Sequence, residues 1–356
     1  MSNLAYIPVF LLLPCTLQSQ EPWMLDRYKT PVIPLSGRVL EGSGVLTRPA
    51  SLASSDSVLA LIDRGADKQA IILSKRTGRV LLEFGRKGSG PGEFRGPSSI
   101  EVDPRSTRTF WVLDAQLRRL TRTKLGQRSF SPKSIDAMVQ PLNETYLELR
   151  PLSGNRFVGS GVFTNNSRLS IVDSNGMVTS RVGSLPKRPE GVPPSVWQEA
   201  QRVHMAVSSS GQRIAVGTRF ADRIELFDAN GVRLGETQRH FSFEPEFKVG
   251  HFSIASGTKG PALAQGDKIR YGYVGLAATD QLIFAVFSGK VRERFRDSGQ
   301  FGQYLHVFDW AGRPVAVYHL GYGLLAIAVE PDGSRLYGIR HDPEPAVLVY
   351  DMPRKK

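Results

Sequence analysis

The residues of this sequence best suited to chemistry are positively charged side chains in long connecting segments. The stretch from Val291 to Arg296 alternates charged with apolar side chains, as an extended ribbon would. Guanidinium and ammonium groups recognise carboxylates and phosphates, so these segments predict an anion-binding surface. The alternative is a solvated surface on a basic protein. The candidate ligand-binding residues are Arg86, Lys87, Glu93, Arg95, His251, Arg292, Arg294, Arg296 and His341.

Motifs of the common enzyme classes are absent from the sequence. It contains no His-Glu-x-x-His, no Gly-x-Ser-x-Gly and no phosphate-binding Walker loop. None of its six histidines is paired at the spacing of metal ligands, and Cys15 is the single cysteine. A zinc site built on several cysteines and an internal disulfide framework are therefore excluded, and no catalytic residue can be named.

The composition predicts a large folded core with many turns. Of the 356 residues, 40% are hydrophobic and 22% are charged, and the formal net charge is +13. A chain of this length can bury a core without disulfides, and this one is too apolar for general disorder. Its 35 glycines and 23 prolines argue against a helical bundle, since both residues destabilise helix interiors.

The N-terminal segment predicts export. The first twenty residues carry no charged side chain, and the apolar run from Ile7 to Leu13 has the length of a signal-peptide core rather than of a membrane span. We therefore assign residues 1–22 to a signal peptide or export segment, and expect a periplasmic, cell-envelope or extracellular protein. Cys15 offers a weak candidate for a lipid anchor. The remaining sequence predicts no transmembrane span.

One unit recurs along the body of the chain: an apolar strand, a polar turn containing glycine, and a second apolar strand. It appears at Ile71–Leu81, Leu169–Val178, Ile224–Val232 and Leu305–Val315. The pattern Asp-x-x-Gly or Asp-x-Asn-Gly between the strands suits a tight antiparallel turn. A second pair of strands precedes each turn, so the repeat of about 40–50 residues holds four strands, as in a propeller blade.

Six such blades are expected in a single domain over residues 30–352. The last blade has only three obvious strands, and we expect residues 32–40 to supply its fourth strand and so close the ring. A seven-bladed ring, with an extra blade in residues 239–271, is the structural alternative. The predicted blades lie near residues 45–85, 97–130, 146–183, 202–238, 272–319 and 323–351.

Two parts of the sequence resemble known propeller families. The glycine-rich loop Phe84–Pro97 resembles the loop between blades of NHL-repeat propellers, which ends in Gly-Glu-Phe-x-x-Pro. The region Gly275–Tyr350 resembles the TolB-like six-bladed propellers of bacterial cell envelopes, notably at His306–Gly312 and Leu336–Arg340. The resemblance implies an all-β propeller with four antiparallel strands per blade, and it implies little about function.

The long insertions are predicted to share one face of this propeller. Residues 85–96, 184–201, 239–271 and 287–303 all connect strand two to strand three or one blade to the next. In a propeller both kinds of connection lie on the same face. Loops longer than about 12–15 residues are uncommon without a function, so this face is expected to carry the binding site at the mouth of the central channel.

These features predict a non-catalytic, exported binding scaffold. Its basic face would recognise an anionic polymer, an acidic peptide or a partner protein. Nucleic acid is a poor fit, because the basic run lacks the aromatic platforms on which bases stack and the chain carries an export segment.

The alternative prediction is a calcium-dependent lactonase or esterase with its site at the channel mouth. Some six-bladed propellers of the kind that this sequence resembles hold calcium in the channel through Glu, Asn and Asp. Calcium takes six to eight oxygen ligands, so several such side chains would have to converge on the axis. The candidate calcium ligands are Glu93, Asn165, Asp222 and Asp342. Apart from calcium in this alternative, no cofactor is expected.

Overall fold

A computed structural model shows six blades, five of them four-stranded sheets and one a five-stranded sheet, together with a separate two-stranded sheet in the described residues. Ranges described by the structure are 24, 26–42, 46–126, 136–161, 163, 165–253, 259–264, 266, 268–292 and 299–353. The predicted export segment and lipid-anchor cysteine, and two of the candidate arginines, Arg294 and Arg296, lie outside these residues.

The strands follow one another along the chain in groups of four. Two short strands, β1 (Val32–Pro34) and β2 (Arg38–Val39), precede blade one, which contains β3 (Pro49–Ser54), β4 (Val58–Asp63), β5 (Lys68–Ser74) and β6 (Val80–Arg86). Blade two contains β7 (Pro97–Asp103), β8 (Ser106–Asp114), β9 (Arg119–Lys124) and β10 (Asp136–Pro141). Blade three contains β11 (Tyr146–Leu152), β12 (Arg156–Gly161), β13 (Ser167–Val172) and β14 (Val178–Ser184).

The second half of the chain repeats the arrangement with insertions. Helix α1 (Pro194–Ala200) precedes blade four, which contains β15 (Val203–Val207), β16 (Arg213–Thr218), β17 (Ile224–Asp228) and β18 (Arg233–Glu236). A hairpin of β19 (Lys248–Ser253) and β20 (Lys259–Ala264) leads to blade five, with β21 (Tyr273–Ala278), β22 (Leu282–Phe287), β23 (Gly302–Asp309) and β24 (Pro314–Leu324). Blade six contains β25 (Ala326–Val329), β26 (Arg335–Arg340) and β27 (Ala346–Asp351).

The first strands of the six blades form the inner ring. The strands β3, β7, β11, β15, β21 and β25 each contact the first strand of the next blade, and β25 contacts β3 again. Buried apolar side chains fill the spaces between neighbouring sheets rather than one central core. The all-β six-bladed fold predicted from the sequence is therefore confirmed, and a central channel remains along the axis.

The glycine turns take the conformation that their sequence predicts. Between β17 and β18, Asp228 Oδ1 accepts hydrogen bonds from the backbone N–H groups of Asn230 (2.9 Å) and Val232 (2.8 Å). Gly231 has a φ of +86°, which residues with side chains rarely adopt. A Cβ added to Gly231 would lie 2.3 Å from Cγ2 of Val182 in blade three, so this glycine also permits the close packing of two blades.

The N-terminal segment closes the ring, although only part of it does so as expected. Strand β2 pairs antiparallel with β27 as the fourth strand of blade six, with Arg38 opposite Val349. In contrast, residues 32–34 do not join blade six. They form β1, which pairs in parallel with β24 as a fifth strand of blade five, with Val32 opposite Val317. The 11-residue β24 would otherwise leave its outer edge unpaired, and β1 pairs with residues 317–319 of that edge.

Two further boundaries differ from the sequence prediction. Blade two does not end near residue 130, since its fourth strand is β10, which pairs with β9 over residues 136–141. The described residues of 239–271 form the two-stranded β19–β20 sheet in place of a seventh blade. Helix α1 packs against this sheet, with the rings of Trp197 and Phe247 5.9 Å apart. The insertions before blades four and five thus support each other.

Candidate functional site

A cavity of about 800 Å³ occupies one end of the central channel. Its mouth is formed by connections between blades and between second and third strands, including residues 64–67, 95–96 and 115–116. Two of the predicted insertions reach it, 85–96 through Lys87 and Arg95 and 287–303 through Gln300, and Arg202 lies just after a third. A second cavity of about 190 Å³ opens from the other end. The two cavities share Leu52, Arg150, Leu276 and Ile327, which therefore mark the waist of the channel.

Five cations, which we call the rim cations, surround the mouth of the larger cavity. They are Arg48, Arg64, Lys87, Arg95 and Arg202. All are exposed except Arg202, which is half-buried and paired with Glu199 at 3.0 Å. Within the described ranges, Arg48, Lys87 and Arg95 form no ion pair. Desolvation and the neighbouring charges of Arg48 and Arg202 lower the pKa of Arg64, so the cations crowd each other.

Below the rim, four charged or titratable side chains form a chain across blades two to four, which we call the charged arc. Glu101 in β7 binds Arg150 in β11, with both carboxylate oxygens 2.7 Å from Nη1. Arg150 Nη2 lies 3.7 Å from Glu148 Oε2. The other oxygen of Glu148 is 2.6 Å from His204 Nδ1 in β15, and Oε2 also accepts a hydrogen bond from the backbone N–H of Met205 at 2.9 Å.

Glu101 and Glu148 share Arg150, yet their pKa values shift in opposite directions. Burial raises the pKa of Glu101 to about 7, because Arg150 compensates it only in part and the charge of Glu148 opposes ionisation. Burial acts on Glu148 in the same direction, but His204, Arg150 and the Met205 N–H outweigh it and lower the pKa of Glu148 to about 2. Burial lowers the pKa of His204 despite Glu148. The charges of the charged arc therefore largely neutralise one another.

Of the predicted ligand-binding residues, Lys87 and Arg95 lie at the rim of the cavity. Arg86 and Glu93 instead line a separate groove of about 490 Å³ between blades one and two. Glu93 Oε2 accepts a hydrogen bond from the N–H of Gly90 at 2.8 Å, so its carboxylate stabilises its own glycine-rich loop. The glycine-rich loop therefore contributes residues both to the central cavity and to this separate groove.

The remaining predicted binding residues do not join them. His251 is an exposed residue of β19. The backbone N–H of Arg292 donates to Ile269 at 3.0 Å, next to the 270–291 bridge, and the residue does not line the cavity. His341 Nε2 donates a hydrogen bond to the carbonyl of Pro49 at 2.8 Å, which ties blade six to blade one. The geometry gives His341 a role in closing the ring.

The four candidate calcium ligands do not converge. Asn165 Oδ1 accepts a hydrogen bond from Ser167 N–H in a local turn. Asp222 is fully buried between blades four and five, where it accepts a hydrogen bond from Tyr273 Oη at 2.8 Å. Asp342 is exposed in the β26–β27 connection, and the Glu93 carboxylate is bound within its own glycine-rich loop. Across the described part of the chain, no three His, Cys, Asp or Glu side chains are grouped closely enough to hold a metal ion.

Sequence reasoning missed the charged arc and three of the rim cations. A signal was present, because Glu148 and Arg150 stand two apart at the start of a blade and so face the same side of a strand. Only the knowledge that first strands line the channel turns this spacing into a site. Arg48 and Arg64 were missed because they lie in short connections, whereas the prediction followed the long insertions.

Comparison with known proteins finds structures that are similar to this chain in fold. No curated protein sequence matches it. Among solved structures, a candidate exported protein from Bacteroides fragilis is similar with a TM-score of 0.52 and 12% identity, over 91% of this chain and 96% of that one. The β-propeller domain of Cps50 (Swd1) from Myceliophthora thermophila has a TM-score of 0.47 and 12% identity, over 89% and 100%. No helix in the described ranges has the length and apolar character needed to cross a membrane.

The sequence pattern of one protein family covers most of the propeller. The family described as TolB-like 6-blade propeller-like matches residues 34–332, from the end of β1 into blade six. This agrees with the resemblance found in the sequence and with the six blades of the structure. The chain belongs to the TolB-like family of six-bladed propellers.

Proposed function

We propose that this protein is an exported binding propeller that captures an anionic ligand at the mouth of its central cavity. The observation that carries the proposal is the set of rim cations, of which Arg48, Lys87 and Arg95 form no ion pair in the described part of the structure. Like charges gathered around one concave opening repel each other, and an anion relieves that repulsion. Two carboxylates line the same cavity among the described residues, Asp67 and Glu148, and Glu148 is already paired with His204.

The shape of the site narrows the kind of ligand. The cavity of about 800 Å³ lies within the range of small-molecule sites. It can therefore admit an acidic small molecule or the end of an acidic peptide or polymer, while a broad protein surface would contact only the rim. Arginine at the rim favours carboxylate and phosphate groups, which it binds through two parallel hydrogen bonds.

Export is part of the proposal and has its own support. The uncharged, apolar N-terminal sequence has the features of a signal peptide. The similar Bacteroides fragilis structure is that of a candidate exported protein. An exported propeller with a basic cavity would meet acidic polymers, peptides and small acids of the cell envelope.

Titration calorimetry with hexaglutamate at low salt tests the binding. The triple variant Arg48→Gln, Lys87→Gln, Arg95→Gln should weaken binding about tenfold, since three exposed charge contacts contribute roughly 0.5 kcal/mol each. The matched control is Arg38→Gln, Arg76→Gln, Arg79→Gln, which removes three exposed cations away from the cavity. Equal losses in both triples would show attraction by net charge alone and would refute the cavity site, as would undetectable binding to the unaltered protein.

A further inference from the structure

The wall of the channel differs between its two sides. Each first strand contributes lining residues two positions apart, because alternate side chains of a strand face the same way. Blades two to four contribute the charged arc. Blades five, six and one contribute mainly apolar residues, and six of these, spaced two apart in each blade, form what we call the apolar arc. Its members are Ala50, Leu52, Val274, Leu276, Leu325 and Ile327.

The apolar arc is not completely covered by the protein. Ala50 and Leu325 are half-buried, although both belong to the inner wall of the ring. The deeper members Leu52 and Ile327 retain 5% exposure and lie at the waist. Apolar surface that lines a cavity is a common feature of sites that bind a hydrocarbon group, since covering it removes the surface from water.

The charges across the cavity decide how such a ligand would be oriented. Arg150, the cation at the waist, is already bound to Glu101 at 2.7 Å and lies 3.7 Å from Glu148. An acidic group placed there would have to compete with two carboxylates. The uncompensated cations are at the rim, and Arg48 and Arg64 stand beside blade one, at the top of the apolar arc. An acid at the rim can therefore extend its apolar part down that wall.

We propose that the ligand is an amphipathic acid with a single carboxylate or phosphate headgroup and a medium-length hydrocarbon chain. The headgroup binds the rim cations, and the chain lies on the apolar arc as far as the waist. From Arg48 to Leu52 the strand rises four residues, roughly 13 Å at 3.3 Å per residue, which a chain of about ten carbons can follow. This inference rests on the proposed function and names its ligand class.

Titration calorimetry with decanoate, hexanoate and 1-decanol, each below its aggregation concentration, tests the inference. Decanoate should bind more tightly than hexanoate, by about fourfold for each added methylene that is fully buried on the wall. It should also bind at least tenfold more tightly than 1-decanol, which has the chain without the charge. This series needs no variant, so it remains informative if a substituted protein fails to fold.

A pair of variants tests where the hydrocarbon chain of the ligand lies. Leu325→Gln should weaken decanoate about tenfold and leave hexaglutamate unchanged, because it places a polar group on the apolar arc. Leu282→Gln is the matched control, since Leu282 is also half-buried and does not line the cavity. Equal effects of the two variants on decanoate would overturn the placement.

The outcomes separate the two proposals. If hexaglutamate binds at the rim while decanoate binds no better than hexanoate, the amphipathic ligand is wrong and the anion site stands. Equal affinity for decanoate and 1-decanol would also overturn the inference, because the headgroup would then contribute nothing. If neither hexaglutamate nor decanoate binds, both proposals fail.

Discussion

Replacing Glu101 by Gln tests the shared-arginine network inside the channel. The carboxyl group has a pKa of about 7 in the folded protein, against 4.5 for the free side chain. Between these two values the folded protein keeps a proton that the unfolded chain has lost. Stability contributed by this group therefore falls as the pH rises from 4.5 to 7. The difference of about 2.5 pKa units corresponds to about 3 kcal/mol.

The measurement is the free energy of unfolding by urea at several pH values from 4.5 to 8. Gln at position 101 cannot ionise, so Glu101→Gln should lack this loss. Its stability relative to the unaltered protein should rise by about 3 kcal/mol across the window, whatever its value at pH 4.5. Comparing the two curves removes the contribution of other groups, such as Asp222, whose pKa burial raises to about 6.

A neutral substitution in the same channel provides the control. Ser99→Ala also changes a cavity-lining residue of β7 but removes no titratable group, so its curve should run parallel to that of the unaltered protein. The reasoning is refuted if Glu101→Gln also runs parallel to the unaltered protein. It is equally refuted if the relative stability of the variant falls as the pH rises.

Three further substitutions test the elements that position the site. Gly231→Ala should lower the free energy of urea unfolding by about 2–4 kcal/mol, because of its φ of +86° and the overlap of the added Cβ with Val182. The control Gly191→Ala has a φ of +75° and no atom within 4 Å of the added Cβ, so it should cost only about 1–2 kcal/mol. Equal losses would contradict the packing argument. Arg150→Met should destabilise the protein by about 3–5 kcal/mol at pH 8, because it leaves Glu101 and Glu148 without their shared cation; a loss below 1 kcal/mol would contradict the network. Tyr28→Phe should cost about 1–3 kcal/mol of unfolding free energy, since it removes the 2.8 Å hydrogen bond between the segment that precedes β1 and the buried His306. An unchanged unfolding midpoint would show that this contact does not stabilise the segment.

The architecture could be predicted from the sequence because its signals are local. The turn at Asp228 to Val232 joins two strands that together span residues 224–236, and the same turn is found in blades three, four and five. Closure of the ring by β2 followed from counting strands in the last blade. The separate pairing of β1 with β24 could not be predicted, since it depends on the length of an edge that lies almost 300 residues away in the sequence.

The site was predicted only in part because it is assembled from segments of all six blades, which lie far apart in the sequence. Lys87 and Arg95 were found because a glycine-rich loop drew attention to them. His341 looked like a functional residue, yet its hydrogen bond to Pro49 connects two blades. The pairing of Glu101 with Arg150 and of Glu148 with His204 crosses from one blade to the next, so no spacing within the sequence reveals it.

A crystal structure of the protein with hexaglutamate would test the central claim most directly. The account predicts a ligand carboxylate at the mouth of the channel, within hydrogen-bond distance of at least two of Arg48, Lys87 and Arg95. A bound ligand on another surface, with the mouth of the cavity free of it, would contradict the account.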